Sequence, residues 1–194
     1  MFLRGKFFGV SDAFAALGLP RRPSIEPAAV QESFRSLAAR LHPDRCGGDP
    51  APLARINAAR KTLLSNAARL RHLLDLTFPP ASPPAPPPPD FQLFSQIGAL
   101  GRSIDAFADQ RERSTSALSA ALLRQEAARL EAVLSDASTK LGTLRAGIEA
   151  DIRRLDALWP DVPPAELSSL AGRATFIERW EETLRQSEIR LAGG

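Results

Sequence analysis

FRSLAARLHPDRCGGD at 34–49, followed by INAARKTL at 56–63, is the stretch that decides how this chain reads. Val30, Phe34, Leu37 and Leu41 recur at intervals of four, three and four, a single apolar stripe over three helical turns. Pro27 suits the first helical position and Glu26 the cap before it, while Ile25 and Val30 stand where a hydrophobic staple would close. Pro43 ends the helix: it has no amide hydrogen to donate and disfavours helical geometry at His42. His42-Pro43-Asp44 is therefore expected in an exposed loop that continues through Cys46-Gly47-Gly48-Asp49-Pro50. A second helix is expected from about Ala51 to Ser65, with Leu53, Ile56, Ala59, Thr62 and Leu63 near its inner face. Two antiparallel helices joined by a polar H-P-D tip are the result.

Upstream, Ser11 or Asp12 can cap a brief helix through Leu17, closed by Gly18 and Pro20. Downstream, eight of the 17 prolines fall between Pro79 and Pro89, a run that excludes helix and central strand and favours extended polyproline II. At about 3.1 Å per residue such a spacer reaches roughly 34 Å. It also contains P-x-x-P, the pattern of ligands for SH3-like or WW-like grooves, although no flanking arginine gives it a direction. Three parts follow: residues 1–78, a proline-rich linker at 79–89, and residues 90–194. The first part carries 12 basic and 6 acidic side chains and the last 13 and 16, so the overall +3 divides into a +6 module and a −3 module.

Beyond the spacer only helical periods occur. Phe94, Ile97, Leu100, Ile104 and Phe107 mark one stripe, in which Gly98 and Gly101 each cost about 1 kcal/mol relative to alanine. Leu123, Ala127, Leu130, Leu134, Ala137, Leu141, Leu144, Ile148, Ile152, Leu155 and Trp159 form a seam of about five heptads. Pro160, Pro163 and Pro164 stop it. A third helix, from about Ala165 to Leu191, carries Leu167, Leu170, Ala174, Ile177, Leu184 and Leu191, with Trp180 beside the stripe. Short turns between long helices predict an antiparallel three-helix bundle or coiled coil. The fold class is all-α.

The residues from 34 to 63 resemble the J-domain of DnaJ-type co-chaperones. DAFAALGLP at 12–20 and INAARKTL through RLRHLLDL, up to residue 76, are most similar to the HscB family, the J-proteins of iron–sulfur cluster biogenesis. That resemblance implies an N-terminal J-domain hairpin whose His42, Pro43 and Asp44, with Arg35, Arg40 and Arg45, contact a DnaK/HscA-type ATPase chaperone. Ser36 stands where many J-domains carry a further base. The resemblance also implies a C-terminal bundle that binds an IscU-like iron–sulfur scaffold, with Leu93, Phe94, Ile97 and Leu100 as anchors. The family's acidic L-M-E-x-x-E-L-R-E segment is here LFSQIGALGR at 93–102, apolar members kept and glutamates gone. The four anchors equally suit packing within the bundle, and Arg35 and Arg40 equally suit a solvated helix face.

The chemistry of the tip is that of a contact surface. Asp44 accepts charge-assisted hydrogen bonds from an arginine, Pro43 lowers the ordering cost of docking, and His42 both donates and accepts. No enzyme activity is expected, since nothing supplies an orienting acid or oxyanion site for a Cys46–His42 pair or a third ligand for a metal. No cofactor is expected either. Cys46, the single cysteine, excludes an internal disulfide and suits a reducing compartment. His72, near an apolar helix end, reads as structural. MFLRGKFFGVSDAF lacks an apolar run of signal-peptide length, and nowhere do 18 apolar residues run together, so a cytoplasmic protein without membrane association is expected. Nucleic acid is disfavoured because the bases are scattered and lack an aromatic stacking platform. A J-protein with a different client, or a homodimer through the heptad helix, remains the alternative.

Overall fold

The computed structural model describes residues 12–41, 49–78 and 91–193, and these carry seven helices and no strand. They are α1 (Ala13–Ala16), α2 (Pro27–Arg40), α3 (Ala51–Leu64), α4 (Asn66–Thr77), α5 (Phe91–Arg113), α6 (Ala117–Ala157) and α7 (Pro164–Ala192). The expected linker at 79–89 lies outside the described residues, as do His42, Pro43, Asp44, Arg45 and Cys46.

Two compact units result. One takes Met1–Pro84 with Ile152–Ala171, the other Ala85–Asp151 with Gly172–Gly194, so residues 152–171 group with the N-terminal helices.

In the first unit the helix ends follow local chemistry. Asp12 caps α1, its Oδ1 accepting from the amides of Phe14 and Ala15, and Gly18 closes it at φ +64°, where a Cβ would be strained. Pro27 opens α2 behind Glu26, which contributes no side-chain cap. Asp49 accepts from the Ala51 amide at the start of α3. Ser65 divides what would otherwise be one helix: its extended backbone ends α3, and its hydroxyl accepts from Ala68 N–H to start α4. Against α3 pack α1, α2 and α4. Phe14, Leu17, Val30, Leu63, Leu70 and Leu73 are sealed in that core.

The second unit is built from α5 and from parts of α6 and α7. Leu93, Ile97, Leu100, Ile104 and Phe107 bury one face of α5 against a stripe of α6 that includes Leu123, Leu130, Leu134, Ala137 and Leu141. Ile177, Trp180 and Leu184 on α7 complete it, so Trp180 lies inside the stripe and not beside it. Ser116 caps α6, its hydroxyl accepting from Ser119 N–H. At the far end α6 stops at Ala157, short of the expected Trp159, because a proline at 160 drives the preceding residue out of helical geometry. Pro164 then opens α7 from the first helical position.

Candidate functional site

The hairpin of α2 and α3 presents the first candidate surface. Arg35 and Arg40 are both exposed on α2, and Arg35 Nε donates back to the Gln31 carbonyl at 3.3 Å. Phe34, expected on the inner stripe, is only half-buried and is covered by Arg60 of α3, whose guanidinium carbon stands 4.3 Å from the ring centre. That cation–π contact ties α2 to α3 close to the exposed bases. The H-P-D tripeptide that follows α2 lies outside the described residues.

Behind this surface, directed polar contacts set the position of the hairpin. Ser33 donates its hydroxyl to the Leu17 carbonyl, linking α2 to the end of α1. Arg69 of α4 is buried and donates to Pro23 O at 2.9 Å, Leu63 O at 2.7 Å and Asn66 Oδ1 at 2.6 Å. The segment leading into α2 is thereby pinned to the α3–α4 junction. His72, also buried, stacks on Phe14 at 5.7 Å and accepts the Ala13 amide proton at Nε2, 2.9 Å. An accepting Nε2 places the proton of the neutral ring on Nδ1. Burial pushes the His72 pKa below its ordinary 6.5, against the opposing pull of Asp12 and Asp75. For Asp12, burial works toward a higher pKa, but hydrogen bonds from Arg21 and from the Ala15 and Phe14 amides outweigh it and hold the carboxyl below 3.8.

Residues 152–171 add one more tie to this unit. Asp156, in the last turn of α6, accepts from Arg22 at Oδ1 and Oδ2 and from the Ser24 amide at 3.1 Å. Sequence spacing gave no sign of this contact between residues more than 130 positions apart.

The second candidate surface lies on α5. Leu93, Ile97 and Leu100 turn into the core and are at most 5% exposed, whereas Phe94 is 48% exposed. Phe94 is joined by aromatic residues the sequence did not single out for binding. Phe91, 73% exposed, lies 6.3 Å from it, Trp180 lies 5.9 Å away on its other side, and Phe176 lies 6.3 Å from Trp180. The result is a four-ring ladder that runs from the exposed Phe91 and Phe94 to the buried Trp180 and on to the half-buried Phe176. The missed signal was Phe176 and Trp180 at i and i+4, which share a helix face.

Among the described residues no group of three or more His, Cys, Asp or Glu side chains could hold a metal ion, and no helix is long and apolar enough to cross a membrane.

The described residues thus comprise a short capped helix, a helical hairpin whose two helices flank H-P-D in sequence, and three long helices, an all-helical order that solved structures share. Two of the solved structures the chain matches are HscB co-chaperones. Human co-chaperone HscB shares the fold with a TM-score of 0.58 at 16% identity, over 92% of this chain and 83% of that one. Chaperone HscB from Vibrio cholerae does so with a TM-score of 0.58 at 18% identity, over 93% and 99%. At such identities the likeness is one of fold. In sequence, the chain is 35% identical over 74 residues to the co-chaperone protein HscB homolog of Chromobacterium violaceum, and 33% identical over 72 residues to that of Bordetella pertussis. These matches cover 34% and 33% of this chain, which spans 42% of the length of either relative. No protein-family model matches the sequence. The resemblance to HscB thus holds in sequence over a third of the chain and in fold over most of it.

Proposed function

We propose that this chain is a J-type co-chaperone of the HscB kind, which stimulates ATP hydrolysis by a DnaK/HscA-type partner and serves iron–sulfur cluster assembly or transfer in the cytoplasm. The observation that carries the reading is the placement of His42-Pro43-Asp44 between two packed helices, in a chain whose fold is that of HscB. The protein acts by contact and catalyses no reaction of its own. Arg35, Arg40 and Arg45 supply positive charge that draws the partner in, and Asp44 supplies a carboxylate that pairs with a partner arginine. Steady-state ATPase measurements with a DnaK-type chaperone test this. Stimulation by the wild type and at least tenfold less with Asp44→Asn is expected; no stimulation, or undiminished stimulation by the variant, overturns it.

The client surface is the ladder on α5. Phe91 and Phe94 offer exposed aromatic area of the kind that anchors interfaces, held rigid by Trp180 and by the buried Leu93, Ile97 and Leu100. Supported in this way, the four expected anchors divide into one contact residue and three props. The loss of glutamates from 93–102 favours a second reading, a J-protein with a different client. Capture of an IscU-type scaffold by the full chain, weakened at least tenfold by Phe94→Ala, supports the first reading; no capture supports the second.

A further inference from the structure

The second unit carries a cavity that neither candidate surface uses. It lies where the last turns of α5 and α7 meet the first turns of α6, and it holds about 350 Å³, near the lower end of the range for ligand pockets. Its floor is apolar. Phe107 of α5, Leu123 of α6 and Leu191 of α7 are each at most 9% exposed. The space above them exists because α6 is small there: at heptad spacing the helix reads Ala120, Ala127, Leu134 and Leu141, so the position that is filled further along is left open at the cavity.

The charges around this floor are all of one sign. Arg111 donates from Nη1 to the Leu191 carbonyl at 3.1 Å, and its guanidinium carbon stands 5.6 Å from the centre of the Phe107 ring, which fixes the cation beside the cavity. It has further N–H donors to offer. Arg124 lines the cavity from α6, and the residues three and four positions away from it, Ala120, Ala121, Ala127 and Ala128, are all alanine, so no acid of its own helix reaches it. Elsewhere on α6, Arg129, Lys140 and Arg145 each pair with an acid at that spacing. Ser114 adds a hydroxyl, and among the described residues no carboxylate lines the cavity.

We propose that this cavity binds a free medium-chain fatty acid, its carboxylate between Arg111 and Arg124 and its hydrocarbon chain on Phe107, Leu123 and Leu191. A wholly polar anion such as phosphate would leave the apolar floor bare, and a neutral hydrocarbon would leave two guanidiniums without an anion. The volume admits one short chain and excludes a two-chain lipid. The site is independent of the co-chaperone reading.

Isothermal titration of the full chain with decanoate, kept below its micelle concentration, tests it. One decanoate per chain is expected to bind saturably in the micromolar range, with octanoate at least fivefold weaker because two fewer methylenes are buried. Decanol and decyltrimethylammonium are expected to bind at least tenfold more weakly than decanoate, and Arg124→Glu to raise the decanoate Kd at least tenfold. Ala127→Leu continues the leucines of 134 and 141 into the cavity and is expected to abolish binding with Tm preserved. Ala120→Trp fills the same space from an exposed position and is expected to do the same where Ala127→Leu disturbs packing. No saturable binding, equal affinity for decanoate and decanol, or binding undiminished by Arg124→Glu or by a folded filling variant overturns the proposal. So does retention on vesicles of anionic phospholipid with no binding of free decanoate, which would assign the cavity to a membrane surface.

Discussion

The unit that bears the hairpin and the unit that bears the aromatic ladder hold themselves together by different means. In the first, Arg69, His72 and Asp156 make hydrogen bonds to backbone groups in distant segments, two of them from buried positions. In the second, charged side chains pair at the surface, as Arg145 does with Glu149 and Glu181, Arg173 with Asp151, and Arg190 with Asp105, over a core of aliphatic and aromatic residues. Directed bonds to buried backbone groups permit one arrangement and penalise its loss, since an orphaned carbonyl costs free energy. Stripes of leucine are more forgiving. The surface proposed to meet an ATPase is therefore mounted on the more rigidly specified unit.

The same substitution made in both units tests this contrast most severely. Arg69→Ala strips donors from Pro23 O and Leu63 O and empties a filled site, with an expected loss of about 3 kcal/mol in chemical denaturation. A loss under about 1 kcal/mol would show that water takes the guanidinium's place and that the hydrogen bonds do not specify the unit.

Acidity gives a smaller handle. The folded pKa of His72 is depressed, so the unfolded chain binds the proton more readily and the neutral ring's contribution is complete above pH 6.5. Stability then falls as pH drops below 6.5, with a slope of at most about 1.4 kcal/mol per pH unit for one proton. Protonation removes the acceptor for Ala13 N–H, so amide exchange in α1 is expected to accelerate before that of α5. A His72→Gln variant should flatten the slope; an unchanged slope would assign it to other groups.

The smallest effect is expected from Arg145→Ala. Its side chain is 57% exposed, and loss of its pairs with Glu149 and Glu181 should cost under about 0.5 kcal/mol in the same denaturation measurement. A cost near that of Arg69→Ala would erase the distinction between the units.

What could be read beforehand follows the same division. The start of α2 at Pro27, the end of α1 at Gly18 and the course of α5, α6 and α7 rest on local rules of capping, proline geometry and apolar period, which a linear sequence displays. The end of α3 at Ser65 was legible too, but not that the same serine caps the start of α4, because a serine that caps looks like a serine on a helix face until the backbone is seen. Arg69 looked like one more positive charge; only burial reveals it as a clamp. On α5 the stripe was plain, yet a stripe cannot separate the residue that faces out, Phe94, from those that face in. The tie from Asp156 to Arg22 and Ser24 depends on which distant segments meet, and no spacing encodes that.

That tie has a consequence for the order of events during synthesis. One compact unit draws on two stretches of chain, and 73 residues separate Phe78 from Ile152. At roughly 5–20 residues per second, the early helices are synthesised roughly 4–15 s before Asp156 is made. Arg22 and the Ser24 amide meet water throughout that interval, and the nascent hairpin waits, unfinished, for the last turn of α6.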